Sequence, residues 1–344
     1  MVAALAGNGG PVRALDLEFG AGVPGGVETI AGDILDQDAV RSAMRGVGTV
    51  IHLAAISDLW VPPGDPARHH RVNVGGTQTV LRAAIDAGAR RFVYCSSNVT
   101  LISGGRGLLP VDETNRARTD ALFGPYARSK AQAERVVEAA EDRIETVIVL
   151  PGTPIGPGDH RPTPPGRLLR DLANGAIPAL PTRNSINLVD VSVLARAIAE
   201  SRYLAPSGAR YLLTGCDTSF GHLAEILAEI TGLAMPRERV PHGVAWLAAF
   251  AEDRIISRLT GRIPAASFDG ARMAGRVRRF SNAAAQRELK LGETDLRRTT
   301  ALALDWMVGR GMIHRPLPGL PAALASIRDE NQSSGPMEPS IQGA

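Results

Sequence analysis

Tyr126 and Lys130 are the two residues of this sequence whose types and spacing point most directly to chemistry. Residues four apart on a helix lie on the same face, so their side chains are expected to meet. An ammonium group beside a phenol favours the phenolate and lowers the pKa of the tyrosine. Such a phenol can exchange a proton with an alcohol or a ketone at neutral pH. The alternative is a solvated helix pair, although the chain has only two lysines, Lys130 and Lys290.

Ser96 and Ser97 lie at the carboxyl end of an apolar run, residues 91–96, that is typical of a buried parallel strand. Ligands of open α/β sheets bind at the carboxyl ends of the strands. A serine hydroxyl at that edge can hydrogen-bond the substrate oxygen whose proton Tyr126 would exchange. The alternative, a strand that merely ends in two serines, is common. The order of a strand, two serines and then a helix that opens with tyrosine and lysine favours a catalytic site.

The hydrophobic pattern predicts the elements that must position these residues. The predicted strands are residues 11–17, 27–30, 49–54, 91–96 and 145–151. The predicted helices among them are residues 36–45, 72–87 and 126–140. Short apolar strands that alternate with helices predict an α/β fold with a Rossmann-like, doubly wound parallel sheet.

After Pro151 the pattern changes. Residues 152–166 hold five prolines and four glycines, which predicts a loop. Further predicted helices are residues 167–174, 191–204, 222–231, 281–289 and 294–310, with a strand at 211–214. We divide the chain into a first domain (1–165), a smaller C-terminal region whose late segments return to the core (166–330), and a disordered tail (331–344).

Composition excludes several classes of function. The net charge of +3 comes from 38 basic and 35 acidic residues, so a nucleic-acid partner is not expected. No apolar run approaches the roughly 18 residues of a membrane span, and no secretory signal is visible. Cys95 and Cys216 are too few for a disulfide framework or a metal site. We therefore expect a cytoplasmic protein without a bound metal.

Several motifs together resemble the extended short-chain dehydrogenase/reductase superfamily, also called the NAD-dependent epimerase/dehydratase family. The segments that carry the resemblance are Gly32-Asp33-Ile34, His52-Leu53-Ala54-Ala55, residues 72–77, 93–97, 126–130 and 151–159, and Leu188-Val189-Asp190-Val191. Within the family, Asp58-Leu59-Trp60, residues 151–159 and 162–166 are similar to the hopanoid-associated sugar epimerase and dihydroflavonol-reductase-like branch. The 3β-hydroxysteroid dehydrogenases are its neighbours.

The resemblance implies roles for individual residues. Ser97 would be the catalytic serine, Tyr126 the acid/base, and Lys130 the residue that binds the nicotinamide ribose and tunes Tyr126. The remaining residues implied to serve the cofactor are Asp33 and Ile34 at the adenine, Leu53, Ala54 and Ala55 in the groove, Asn73 as a brace, and Pro151 and Thr153 beside the nicotinamide. The resemblance also implies that residues 1–165 form the NAD-binding domain and that residues 166–330 mainly bind the substrate, a small molecule. It further implies a homodimer formed through the tyrosine-bearing helix.

Asp16 ends the strand at residues 11–17. A carboxylate at this position of a dinucleotide fold hydrogen-bonds the ribose 2′-hydroxyl and repels a 2′-phosphate. We therefore expect NAD rather than NADP, against the alternative of an ordinary aspartate at a strand end.

One element of the family pattern is absent from the sequence. The family begins with a strand and a glycine-rich turn whose amides hold the pyrophosphate. Residues 1–9 instead read as the helix that should follow that turn. Either the natural protein starts further upstream, which we favour, or the chain is truncated and binds a dinucleotide poorly.

These observations indicate an NAD-dependent oxidoreductase or epimerase that acts on a secondary alcohol or ketone of a sugar nucleotide or a related substrate. A 3β-hydroxysteroid or sterol-type dehydrogenase and a dihydroflavonol-reductase-like ketone reductase remain alternatives, because the same catalytic residues serve each outcome. A third alternative is a non-catalytic, truncated dinucleotide fold.

Residues 244–259 are apolar and are followed by many arginines. The simpler interpretation is a lid helix over the cleft with a solvated basic face. The alternatives are peripheral contact with a membrane surface and a basic face that binds a sugar-nucleotide diphosphate.

The missing phosphate loop can be tested by extension. A chain lengthened upstream to include the strand and glycine-rich turn should bind NAD more tightly than the present chain, because backbone amides at a helix N-terminus stabilise a pyrophosphate. Fluorescence titration with NADH measures both affinities. Equal, tight binding by the two chains would show that no phosphate loop is missing.

Overall fold

The computed structural model describes residues 1–7, 9–20, 22–103, 110–182, 184–264, 266–276 and 279–333, with the backbone alone at 331–333. The elements of the first part are α1 (Val2–Ala6), β1 (Val12–Asp16), β2 (Val27–Ala31), α2 (Gln37–Ala43), β3 (Thr49–His52), α3 (Gly76–Asp86), β4 (Arg91–Cys95), α4 (Gly124–Glu138) and β5 (Glu145–Pro151). A π-helical turn, His70–Gly75, leads directly into α3.

The second part is richer in helices. Its elements are β6 (Thr153–Ile155), α5 (Pro164–Ala173), β7 (Leu180–Pro181), β8 (Ile186–Asp190), α6 (Val191–Leu204), β9 (Ala209–Leu213), β10 (Cys216–Thr218), α7 (Phe220–Thr231), β11 (Glu238–Val240), α8 (His242–Ala251), α9 (Ser257–Thr260), α10 (Phe268–Ala274), α11 (Ala283–Leu289), α12 (Leu296–Gly309) and α13 (Leu320–Ser333). A second π-helical turn, Glu252–Ile256, joins α8 to α9.

A parallel sheet in the order β3-β4-β5-β9 forms the centre of the fold. β1 and β2 pair with each other, also in parallel, as a separate two-stranded sheet. The predicted α/β class with a parallel sheet is confirmed. β1 and β3 are edge strands of their two sheets within the described residues, and the missing first strand stays a prediction.

Helices cover the central sheet on both faces, which explains its uniformly apolar strands. Phe92 and Tyr94 of β4 pack on one side in a cluster shared with α2, α3 and α4. Val93, between them, points to the other side and packs against α6 and α11. This alternation follows from the period of two along a strand. Each such buried side chain contributes roughly 1.5–3 kcal/mol relative to an exposed one.

A third apolar cluster lies in the C-terminal part, where α5, α7, α12 and α13 pack together around residues such as Leu227 and Leu304. β8 lies between β6 and β10, parallel to the first and antiparallel to the second. Asp190, at the end of β8, caps α6 by accepting hydrogen bonds from the backbone of Ser192 and Val193 at 2.7 and 3.0 Å.

The structure corrects several expectations drawn from the hydrophobic pattern. The loop expected at 152–166 contains β6 and the start of α5, because β6 gains hydrogen bonds from β8. The strand expected at 49–54 ends at His52. The tail expected from residue 331 is still helical through Ser333, where α13 ends. The rest of that tail, 334–344, lies outside the described residues.

The central sheet and its covering helices include elements from both sides of residue 165. β9 belongs to the central sheet, and α6 and α11 cover one of its faces, although all three follow that boundary. The division of the chain at residue 165 stays a prediction. Across the described ranges, the helices are all too short or too polar to cross a bilayer.

Gly215 provides a test of this packing. A Cβ atom there would lie 2.2 Å from the carbonyl oxygen of Leu188 and 2.9 Å from Cα of Val189. Gly215→Ala must therefore displace β8 backbone, and we expect a loss of about 1–3 kcal/mol in the free energy of unfolding. Gly64→Ala is the control, since no heavy atom lies within 4 Å of that position. Urea unfolding measures both, and equal losses would contradict the packing described.

Candidate active site

The three candidate catalytic residues meet at the carboxyl end of β4. Ser97 follows β4 after one residue, and Tyr126 lies in the first turn of α4. The Ser97 hydroxyl interacts with the Tyr126 phenol. One turn further along α4, the Lys130 ammonium donates a hydrogen bond to the carbonyl oxygen of Cys95 at 2.5 Å. The structure thus brings Ser97 to Tyr126 and places the Lys130 ammonium at the end of the same strand.

α4 begins in an unusual way that brings Tyr126 to this edge. Gly124 has a φ of 75°, in the left-handed region that favours glycine. Pro125 follows in the first turn, where its missing N–H costs no helical hydrogen bond. A Cβ atom at Gly124 would lie 2.5 Å from a carboxylate oxygen of Asp269. The start of the catalytic helix therefore lies directly against α10.

Lys130 is almost fully buried, with 2 % of its surface exposed. Its ammonium nitrogen lies 4.6 Å from the centroid of the Tyr94 ring, within the range of a cation–π contact. Burial lowers the pKa of Lys130, and the nearby Cys95 and Glu134 partly oppose that effect. The ammonium group is therefore held in place by a backbone carbonyl and an aromatic face.

Tyr126 differs from the sequence-based expectation. Burial raises its pKa to about 12, and the hydrogen bond with Ser97 only partly offsets the rise. The expected lowering of the Tyr126 pKa by Lys130 is therefore not observed in the structure. The physical reason is that the lysine is engaged with Cys95 and Tyr94, whereas the phenol loses water. At neutral pH the phenol is protonated and can act as a proton donor.

Asn73 ties the loop after β3 to the catalytic helix. Its side chain accepts a hydrogen bond from Ile56 N at 2.8 Å and donates to Ile56 O at 3.0 Å. It also donates to the Ser129 hydroxyl at 2.9 Å, and Ser129 in turn donates to Tyr126 O at 2.8 Å. Asn73 is 1 % exposed, so these contacts are shielded from water. This arrangement fits the bracing role that the family resemblance implies.

Two of the residues expected to contact a dinucleotide lie together at the edge of the β1–β2 sheet. Gly32 N donates to Asp16 O at 2.9 Å, which places Asp33 next to Asp16. Both carboxylates are exposed. Ile34 is different, because its side chain fills the space that a Cβ atom of Gly76 would occupy. Ile34 therefore belongs to the core, and only its backbone could face a ligand.

The other candidate cofactor residues lie at the ends of β3 and β5. Leu53 is 39 % exposed and Ala54 is also exposed, whereas Ala55 is half-buried. Pro151 is buried at the end of β5, and Thr153 is half-buried at the start of β6.

The residues present fit part of a dinucleotide. Exposed apolar groups after β3 and exposed carboxylates after β1 and β2 suit the adenosine half. No strand among the described residues leads through a Gly-x-x-Gly-x-x-Gly turn into a helix, so the pyrophosphate has no such cradle there.

A buried charge network beside the site was not foreseen from the sequence. Ser96 donates to the Glu134 carboxylate, and Arg210 pairs with the same carboxylate at 2.6 Å. Arg210 also donates to the carbonyl oxygen of Glu113 at 2.6 Å. Two signals could have revealed it: Glu134 follows Lys130 by four residues, and Arg210 interrupts an apolar strand. The network links α4 to the end of β4, next to the candidate catalytic residues.

Two further features lie near the site. A cavity of about 360 Å³ lies by the loop after β3 and is lined by Ser57, Asp58, Arg161, Pro162, Thr163, Arg167 and Arg170. On the side of α8 and α10, Trp246, Phe250 and Phe268 form an aromatic cluster, with ring centroids 5.0–6.3 Å apart. The arginines of the cavity suit an anionic ligand, and the aromatic cluster suits an apolar ligand.

Comparison with known proteins agrees with this geometry. Residues 1–179 match the model of the NAD dependent epimerase/dehydratase family, and the chain belongs to that family of oxidoreductase-type enzymes. A putative dihydroflavonol 4-reductase from Synechocystis sp. is 31 % identical over 83 % of each chain. Sterol demethylase protein B from Methylococcus capsulatus is 32 % identical, covering 83 % of this chain and 87 % of that protein. The crystal structure of gox2253 superposes with a TM-score of 0.77 at 29 % identity, covering 91 % and 94 % of the two chains.

The raised pKa of Tyr126 has a consequence for stability. The native state retains this proton between pH 10 and about 12 while the unfolded state releases it, so stability falls as pH rises through this range. Tyr126→Phe should lack that contribution, which amounts to at most about 2–3 kcal/mol. Tyr203→Phe, which removes a phenol that is 70 % exposed, is the control. Urea unfolding across this pH range measures the slopes; identical slopes for Tyr126→Phe and the wild type would contradict the raised pKa.

Proposed function

We propose that this protein is a nicotinamide-dependent oxidoreductase that interconverts a secondary alcohol and a ketone, with Tyr126 as the acid/base. The observation that carries the proposal is the convergence of Ser97, Tyr126 and Lys130 at the carboxyl end of β4. That edge is where open parallel sheets bind their ligands. Membership of the family supports the same chemistry.

In the free protein Tyr126 is protonated, which suits it to act as a proton donor. With a pKa of about 12, the phenol can donate its proton to the oxygen of a ketone as the carbonyl carbon is reduced. Ser97 offers a second hydrogen bond to the same oxygen and so stabilises the charge that develops there. Lys130, whose ammonium is held by Cys95 O, would donate its remaining N–H groups to the ribose hydroxyls of a bound dinucleotide. The dinucleotide, when bound, supplies or accepts the hydride.

We assign NAD as the preferred cofactor on the basis of Asp16. Its exposed carboxylate ends β1, with one oxygen accepting Leu17 N at 2.7 Å. A carboxylate at this edge can bind a ribose 2′-hydroxyl and would repel a 2′-phosphate.

For the substrate we favour an apolar secondary alcohol or ketone. Trp246, Phe250 and Phe268 supply an aromatic surface beside α10, and α10 contacts the start of α4 through Asp269 and Gly124. Two relatives that match most of the chain are named for reactions of a flavonoid-type ketone and of sterols. Aromatic and apolar linings of this kind bury such ligands well.

A sugar nucleotide is the second candidate, supported by the arginine-lined cavity. Arg161, Arg167 and Arg170 lie around its rim, and guanidinium groups bind diphosphates with paired hydrogen bonds. Asp58 reduces that positive charge, since one of its oxygens lies 3.7 Å from Arg167. A non-catalytic role is the third alternative, and it does not explain why Ser97, Tyr126 and Lys130 lie together at the carboxyl end of β4.

Turnover measurements test the proposal directly. NAD(H) and NADP(H) should be assayed with hydroxysteroids, flavonoid ketones and nucleotide sugars, with NAD(H) and the apolar substrates expected to give the higher kcat/KM. Tyr126→Phe should lower kcat by about 10²–10⁴ with little change in KM, because it removes the proton donor and keeps the ring. Tyr203→Phe, far less buried, is the control and should behave as the wild type.

The same assay separates the two substrate classes. Arg167→Gln should leave turnover of an apolar ketone unchanged and should raise KM for a nucleotide sugar if the arginine cavity binds its diphosphate. Full activity of Tyr126→Phe on every substrate would overturn the proposed acid/base.

A further inference from the structure

α8 and the segment that follows it expose an unusual amount of apolar surface. α8 contains no Asp, Glu, Lys or Arg, yet only Ala249 among its ten residues is buried. A helix that is hydrophobic all round is normally buried in a core or in lipid. The large apolar side chains that are at least 40 % exposed here include Leu247, Phe250, Ile255, Ile256, Leu259 and Ile263. We call residues 244–263 the apolar surface.

Of the three arginines in the apolar surface two are exposed, whereas its acidic residues, Glu252 and Asp253, are half-buried and buried. Arg258 and Arg262 are exposed. Asp253 is turned inward, 6 % exposed, and accepts a hydrogen bond from Phe268 N at 2.7 Å. Arg254 is half-buried and lies 3.6 Å from the buried carboxylate of Asp269. The surface therefore presents apolar side chains and positive charge together.

The apolar surface is fastened firmly to the rest of the molecule. Trp246 and Phe250 pack against Phe268, with ring centroids 5.0 and 5.2 Å away. Trp60, in the loop after β3, donates a hydrogen bond to the Ser257 hydroxyl at 3.3 Å. These contacts fix the position of the apolar surface and keep its exposed side chains directed away from the core.

We infer that residues 244–263 dock on an anionic lipid bilayer. Helices that lie in the membrane interface combine buried apolar side chains with arginines at the headgroups, which is the combination found here. The charge pattern favours an anionic bilayer over a second copy of the chain, because lipid headgroups supply the negative charge that Arg258 and Arg262 would face. An acidic protein partner would have to match an apolar area without hydrogen-bonding groups.

The position of the apolar surface extends the proposed function, and this part of the inference rests on the proposed function. Asp269, which faces Arg254, also contacts Gly124 at the start of the catalytic helix. Docking would therefore place the substrate side of Tyr126 close to the bilayer, where an apolar alcohol or ketone partitions. The docking itself does not require that chemistry.

Vesicle co-sedimentation of the full chain tests the inference. Wild-type protein should pellet with phosphatidylglycerol/phosphatidylcholine vesicles and far less with phosphatidylcholine alone, and added salt should weaken the binding. The variants Leu247→Ser/Leu259→Ser and Arg258→Glu/Arg262→Glu should each reduce the partition coefficient by roughly tenfold or more. Leu17→Ser and Tyr203→Ser, which alter exposed apolar residues elsewhere, are the matched controls and should bind as the wild type.

Two further measurements make the result decisive. Urea unfolding of each variant should match the wild type, since all the altered side chains are exposed. Light scattering reports self-association: a wild-type oligomer that the Leu247→Ser/Leu259→Ser variant disrupts, without vesicle binding, would assign the surface to a second copy and overturn the inference. Absence of vesicle binding would also overturn it.

Activity distinguishes this inference from the proposed function. Turnover of a water-dispersed ketone by the Arg258→Glu/Arg262→Glu variant should equal that of the wild type. Vesicle binding without turnover on any substrate would leave the docking surface intact and remove the proposed function. Turnover without vesicle binding would support the proposed function and remove the docking surface.

Discussion

The hydrogen bond from Lys130 to the carbonyl oxygen of Cys95 is the contact on which the rest of the site depends. Cys95 is the last residue of β4, a strand covered on both faces, so its carbonyl has a fixed position. Anchoring Lys130 there fixes the register of α4 against the sheet. Tyr126, one turn earlier, is thereby brought to Ser97. The Asn73 bridge and the Glu134–Arg210 pair secure the same helix and strand from either side.

The sequence predicts the central part of the fold and the candidate site residues because both depend on local patterns. β5 and α6 lie where the apolar pattern places them, and the Tyr126–Lys130 spacing indicates the helix that carries the candidate acid/base. The failures involve partners distant in the chain. β6 is a strand only because β8, more than thirty residues later, pairs with it. The raised pKa of Tyr126 likewise depends on burial by the assembled site, which residue spacing does not encode.

The central parallel sheet and the C-terminal part of the chain share several elements and contacts. β9, α6 and α11 come late in the chain and complete the sheet and one of its faces. The cluster formed by α5, α7, α12 and α13 is attached through β8, whose Asp190 both caps α6 and accepts a hydrogen bond from Thr299 at 2.7 Å. Asp190 therefore links α12 to α6, the helix that packs on the central sheet.

The absence of a side chain at Gly124 leaves room for the Asp269 carboxylate at the start of α4. A carboxylate oxygen of Asp269 occupies the place that a Cβ atom would take at that position. Any larger residue would therefore push the carboxylate aside, and the same carboxylate faces Arg254. A substitution at residue 124 would thus disturb an ion pair on a distant segment of the chain while Ser97, Tyr126 and Lys130 stayed unaltered.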